Sequence, residues 1–228
     1  MGYIKHIQSN PNAYCFLMGD LINCANIGSK SSVFKQDMDL NDQIKECVKL
    51  LNPIKHKILG AITGNHEQRL EHYTGYNTTI SICDKLGIHY FGYSGLVIFR
   101  LGCHSGKGKN PRGSFTGYFH HTTGGGGTIG GKINRPSKLR EVVTNCDFYC
   151  GAHNHLLSCA HTIIKKVNET TEVIEDLRQM VVTTGGYLQF DNSYVEEKML
   201  PPLKIGSPRI HIFVKQGTNG QKNTNSHL

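Results

Sequence analysis

The sequence predicts a layered α/β sandwich, two mixed β-sheets flanked by helices. Two observations predict it. As far as Leu86, apolar strand-like runs alternate with helical patterns; from His89 onward, strand-like runs dominate. Early alternation followed by a strand-rich half suits strands gathered into sheets with helices packed outside them. One domain is expected over residues 1–215, with a polar, aperiodic tail at 216–228 expected to be disordered.

The elements follow in order. Tyr3, Ile4 and Ile7 form the apolar side of a helix end, stopped by Asn10-Pro11. Tyr14 to Met18 is a continuous apolar run ended by Gly19, which reads as a buried strand. Residues 27–39 are polar and read as loop. Leu40, Ile44, Cys47, Val48 and Leu51 recur at helical spacing, with Asn41 or Asp42 as cap and Pro53 as stop. Lys57 to Thr63 is the next buried strand. Thr78 to Leu86 reads as a helix closed by Gly87. The second half offers strands at His89–Tyr93, Leu96–Leu101, Phe115–Phe119, Asp147–Cys150, Gln179–Thr184 and Arg209–Val214, and one helix at Ser137–Thr144. Two loops stand out: the basic, Gly-rich 102–113 and 122–136.

Composition narrows the function classes. The 228 residues are 38% hydrophobic and 18% charged, as in a water-soluble globular chain. No apolar run approaches the roughly 20 residues of a membrane span, and the first residues lack the apolar stretch of a secretory signal. Eight cysteines show no small-domain framework spacing, so reduced thiols and a cytoplasmic location are expected. The net charge of +8 favours polyanionic partners, nucleic acid included.

Four apolar runs end in polar motifs: Gly19-Asp20, Gly64-Asn65-His66-Glu67, His120-His121 and His153-Asn154-His155. Hydrolysis of a phosphoester is slow because its oxygens repel an anionic nucleophile. Two divalent ions overcome this by acidifying water and neutralising the transition state. Such a site needs a carboxylate that can bridge, here Asp20, and neutral ligands, here Asn65, His121, His153 and His155. In an extended segment, the two-residue spacing of His153 and His155 would put both rings on one face.

The ordered set resembles the calcineurin-like metallophosphoesterases, over about residues 3–190. The glycine run after His120-His121, Gly131-Lys132-Ile133-Asn134, Thr183-Thr184-Gly185-Gly186-Tyr187 and Pro201-Pro202-Leu203 resemble phage-type members. The resemblance implies that Asp20 bridges two metals, that Asn65, His121 and His153 complete the second, and that His155 joins the first. It implies a catalytic His66, which stabilises the transition state or protonates the leaving oxygen. Mn²⁺ is the expected ion, with Zn²⁺, Fe²⁺ or Ni²⁺ as alternatives. The implied activity is hydrolysis of a phosphodiester, with nuclease or DNA-repair chemistry first and a small phosphomonoester as an alternative. Adjacency to the motif selects His121 over His120.

This sequence departs from the family in three places. Ala152 precedes His153, where glycine is usual, with Gly151 one earlier. Thr122 follows His121, where glycine is also usual. The family's opening Asp-x-His does not precede Gly19-Asp20. The first metal would then keep Asp20 and His155, and the first strand is expected to be missing. A truncated reading frame is the favoured explanation. A strand supplied by another polypeptide and a degenerate one-metal form are the alternatives. A non-enzymatic, basic nucleic-acid-binding module is the competing function.

Other readings weigh against these. Glu67 reads as a first-turn acid favoured by the helix dipole. His56, His72, His89, His104 and His161 are assigned no role. Residues 126–132 read Gly-x-x-x-x-Gly-Lys, but Ile133 replaces the Ser or Thr of a phosphate-binding loop, and Pro136 opposes a helix there. A flexible loop is expected instead, with Lys132 and Arg135 as candidate contacts to substrate phosphates. Cys146, Cys150, His153 and His155 could alternatively form a structural zinc site, though the spacing is compact and odd for one.

Overall fold

Parallel strand pairing organises both parts of the computed structural model. The residues described are all except 1, 27–28, 30–35, 103–112, 125–126, 192–193, 198, 200–201, 215–221 and 228. The chain is of mixed α/β class and divides into two compact units, residues 1–95 and 96–228. Among the described residues, no helix is long and apolar enough to cross a membrane.

In the first unit, strands β1 (Cys15–Leu17) and β2 (Ile58–Ala61) pair in parallel, Cys15 with Ile58 and Leu17 with Ala61. Around them lie helices α1 (Gly2–Ser9), α2 (Leu40–Leu51), α3 (Asn65–Thr74) and α4 (Thr78–Leu86). Ile7, Ile22, Ile44, Ile54, Ile58, Leu70, Ile82 and Leu86 form one apolar cluster, in which the apolar faces of the helices meet β2 and the loop after β1. The α4 boundaries are those the sequence predicts. Asn77 Oδ1 accepts the Ile80 N–H at 3.0 Å, and Gly87 closes the helix in the left-handed conformation.

Two local expectations change. The cap of α2 is Asp39, which accepts from Asp42 N at 2.9 Å, because a cap must precede the first helical turn. Pro53 stops α2 as expected: the helix ends at Leu51, and the proline sits in the first turn of a 3₁₀ helix, Asn52–Lys57, where its missing N–H costs nothing. His89–Tyr93 is not a strand but a single bridge, Tyr90 to Ala61, cut short at Gly92, whose φ is 79°.

The second unit holds a five-stranded sheet in the order β3 (Ser94–Leu101), β4 (Gly113–His120), β5 (Phe148–Gly151), β7 (Val173–Thr183), β6 (Ser158–Asn168). β4, β5 and β7 run parallel, and β6 folds back antiparallel on β7. The parallel middle is buried on both faces, so β5 reads Phe-Tyr-Cys-Gly without alternation. Gly117 is required here, because a Cβ would enter the Phe148 ring.

Two further expectations are corrected. The helix predicted at Ser137–Thr144 is instead α5 (Ile129–Ser137), capped by Thr128, followed by one turn, α6 (Leu139–Val142). So residues 129–136, expected as flexible loop, are helical. In the tail expected to be disordered, Lys222–His227 is strand β9, antiparallel to β8 (Arg209–Val214). The ladder of β8 supplies the hydrogen bonds that polar composition cannot announce. Residues 216–221 and 228 of that tail lie outside the described residues, as does 103–112 of the basic Gly-rich stretch.

Candidate metal centre

In the first unit the parallel pairing brings the ends of β1 and β2 to one edge. Gly19-Asp20 leaves β1, and Gly64-Asn65-His66-Glu67 leaves β2 to open α3. Gly64 is the N-cap of α3 and has no side chain to satisfy the first turn. Asp20 supplies the oxygen instead: its Oδ1 accepts the His66 N–H at 3.0 Å. The approach is so close that a Cβ on Gly64 would overlap the Asp20 backbone nitrogen and carboxylate. His66 Nε2 lies 3.9 Å from Asp20 Oδ2, and the imidazole is one-third exposed.

Glu67 fixes this arrangement. Its carboxylate is fully buried and accepts four backbone N–H groups: Gly64 at 3.1 Å, Asp20 at 3.0 Å, Leu21 at 2.6 Å and Ile22 at 3.4 Å. It therefore binds the Asp20 loop to the start of α3. Burial pushes its pKa up, with the Asp20 charge adding to the rise, and the backbone donors oppose both. The structure gives the first-turn acid a wider role than the dipole contact expected for it.

In the second unit the register pairs His120 with Gly151, and Gly151 with Thr183. The carboxyl ends of three parallel strands thus align, which is where open α/β sheets gather ligands. His121 follows β4 and is 3% exposed; its ring meets that of His153 edge-on at a centroid distance of 5.3 Å. His120 faces a different task. Its Nδ1 accepts the Thr122 N–H at 2.7 Å, and burial, then the neighbouring His121, lower its pKa. Thr122 Oγ1 donates to Ala152 O at 2.7 Å, tying the end of β4 to the turn that follows β5.

That turn is not extended, as the two-residue spacing assumed. His153 and His155 both have left-handed backbones, φ 74° and 57°, so the one-face argument for their rings does not apply. Asn154 between them is 6% exposed and holds the turn: it donates from Nδ2 to Lys132 O at 2.6 Å, and its Oδ1 accepts Leu156 N at 3.0 Å. Lys132 O is available because Pro136, four residues on in α5, has no N–H to give it. Pro136 in turn packs where a Cβ on Gly151 would lie, at 2.8 Å. The His155 ring occupies space that a Cβ on Gly186 would take.

Other expectations can be placed. Lys132 is half-buried and Arg135 exposed, both within α5; Gly131 and Lys132 are inside a helix rather than in a loop preceding one. The ligand atoms of Cys146, Cys150, His153 and His155 do not gather within 4.8 Å of one another. Both thiols are buried, and burial pushes that of Cys150 up to about 12. The separation of the four ligand atoms disfavours the zinc alternative, which needs them around one ion.

Backbone strain marks three of the five candidate ligands, Asp20, His153 and His155, and Thr122 beside a fourth. Among the described residues, seven non-glycine residues have positive φ. Four of them are Asp20, Thr122, His153 and His155. Each costs on the order of 1 kcal/mol, and Thr122 is β-branched, for which the conformation is a genuine outlier. Asp, Asn and His supply mixed oxygen and nitrogen donors, suited to a borderline divalent ion. Sequence reading missed Asn154 and the reach of Glu67; an amide between two histidines was the available signal for the first. No family model matches this chain, and no curated protein or solved structure is significantly similar to it.

Proposed function

We propose that this chain is a metal-dependent phosphoesterase of calcineurin-like architecture, a two-sheet α/β sandwich, acting on phosphodiesters of nucleic acid. The observation that carries it is the left-handed backbone at Asp20, His153 and His155. Strain at the ends of apolar strands, on residues with metal-ligand chemistry, is the kind that clusters at ligand and active sites.

In this reading Asp20, Asn65, His121, His153 and His155 hold divalent metal, Mn²⁺ first, by the resemblance their motifs carry. The bound metal supplies an activated water and neutralises the phosphoryl oxygens. Asp20 presents a carboxylate that can bridge, held rigid by Glu67. In this reading His66, whose Nε2 lies 3.9 Å from Asp20 Oδ2, delivers a proton to the leaving oxygen. Lys132 and Arg135 contribute positive charge to the substrate side.

The test is Mn²⁺-dependent hydrolysis of bis(p-nitrophenyl) phosphate. Turnover that falls at least about 100-fold in both Asp20→Ala and Asn65→Ala supports the reading. Turnover unchanged in either variant overturns that residue's role. The net charge of +8 favours a second reading, a basic nucleic-acid-binding module. It predicts salt-sensitive DNA binding without turnover at any Mn²⁺ concentration.

A further inference from the structure

Charge is unevenly divided along this chain. Residues 96–228 carry sixteen Lys and Arg against nine Asp and Glu, a net of +7; residues 1–95 carry nine against eight, a net of +1. Within the second unit, the helical stretch 128–142 holds Lys132, Arg135, Lys138 and Arg140 against one acid, Glu141. Lys132, Arg135 and Lys138 recur at three-residue spacing, so each neighbours the next on the helix surface. The row runs outward from the packed side of α5. Lys132 is half-buried beside buried Pro136 and Leu139, while Arg135 and Lys138 are exposed. The helix dipole accounts for a cation in the last turn of α5, but it opposes Lys132, near the start.

Nothing nearby cancels this charge. Arg140 donates from Nε to Ser137 O at 3.1 Å and from Nη1 to Thr162 Oγ1 at 3.0 Å. Both acceptors are neutral, so the guanidinium keeps its charge uncompensated. The acids of the β6–β7 ribbon lie further out. Glu175 faces Lys166 in register, four residues beyond Thr162, or about 13 Å at the rise of a strand. Glu169 and Glu172 are about 20 Å or more along the same ribbon, beyond the roughly 8–10 Å over which salt lets charges act. The row also starts at the candidate site, because Lys132 O accepts Asn154 Nδ2 at 2.6 Å, and Asn154 lies between His153 and His155.

We infer that the α5–α6 surface docks the backbone of duplex DNA, with Lys132, Arg135 and Lys138 each meeting a phosphate. Charge complementarity names the partner class, and what the row lacks narrows it. No residue of 128–142 is aromatic, so an unpaired base would find no ring on which to stack. A duplex buries its bases in itself and offers one negative charge per about 1.7 Å of axis, against about 3.4 Å for one strand. The inference rests on the phosphodiesterase reading only for the direction of the path, which leads from Lys138 through Lys132 towards the reacting phosphate.

The experiment measures binding by fluorescence anisotropy, in EDTA so that no turnover intrudes. The probes are a short labelled DNA duplex and an oligothymidylate of the same length, titrated between about 50 and 200 mM salt. The native protein should bind the duplex more tightly. Lys132→Gln/Arg135→Gln/Lys138→Gln should weaken duplex binding and lower the slope of log K against log salt by about three. Lys132→Arg/Arg135→Lys/Lys138→Arg, which keeps the charges, should bind as the native chain does. Lys45→Gln/Lys49→Gln/Lys85→Gln removes the same net charge from exposed positions of the first unit and should keep the native slope. The inference is overturned if the first triple variant keeps that slope, or if the first-unit variant loses as much of it. Tighter binding of the oligothymidylate would also overturn it, as would poly-L-glutamate competing as well as duplex at equal charge. Hydrolysis of bis(p-nitrophenyl) phosphate by the native protein is read separately. Duplex binding through this row with no hydrolysis would sink the enzymatic reading and leave the surface. Hydrolysis with no duplex binding would do the reverse.

Discussion

The two units hold their candidate ligands by different physical means. In the first, one buried carboxylate, Glu67, gathers four backbone N–H groups from two loops. In the second, His121 and His153 are held by a chain of neutral bonds: Thr122 to Ala152, Asn154 to Lys132, and the proline that leaves Lys132 O available. A charge buried among donors concentrates the cost of its loss in one residue. A relay of neutral bonds spreads that cost and makes each link replaceable.

The sharpest way to break the comparison is Glu67→Ala. It strands four inward-facing N–H groups, and the expected loss is about 3 kcal/mol or more, read as a shift of the urea midpoint. Glu67→Gln, which keeps one acceptor oxygen, should recover part of it. A midpoint unchanged in Glu67→Ala would mean that the Asp20 loop is held by something else.

A smaller effect is expected for Asn154→Ala, about 1–2 kcal/mol, because it removes one neutral bond and leaves Lys132 O without either donor. The relay makes a specific prediction here. Adding Pro136→Ala returns a helical N–H to Lys132 O, so the double variant should melt above Asn154→Ala alone. Thermal unfolding of the native protein, both single variants and the double variant decides it, and additive losses would refute the relay.

The smallest expected effect concerns His120. Its pKa is lowered in the folded chain by burial and by His121, so below its ordinary value of 6.5 the unfolded chain binds more protons. Stability should therefore fall as pH drops from 6.5 through the folded value. In His120→Asn, whose amide oxygen can still accept from Thr122 N, this slope should flatten. Unfolding free energies measured from pH 7.5 to 5 would show it, and an identical slope would assign the effect to another group.

The sequence by itself determined the buried strands, the ends of α4 and the chemistry on offer. Continuous apolar runs before glycine and the closure of α4 at Gly87 are local facts, legible within a few residues. So are the donor types at Asp20, Asn65, His121, His153 and His155. The tertiary structure decided what holds them. Glu67 acts on residues 45 to 47 positions away, and Asn154 on one 22 away; no local pattern encodes such partners. β6 was missed because its outer end leaves Ile163 and Val167 in solvent, blurring the alternation that marks a strand. β9 was missed because its six polar residues become a strand through the backbone ladder that β8 offers, and backbone hydrogen bonds leave no signature in side-chain composition.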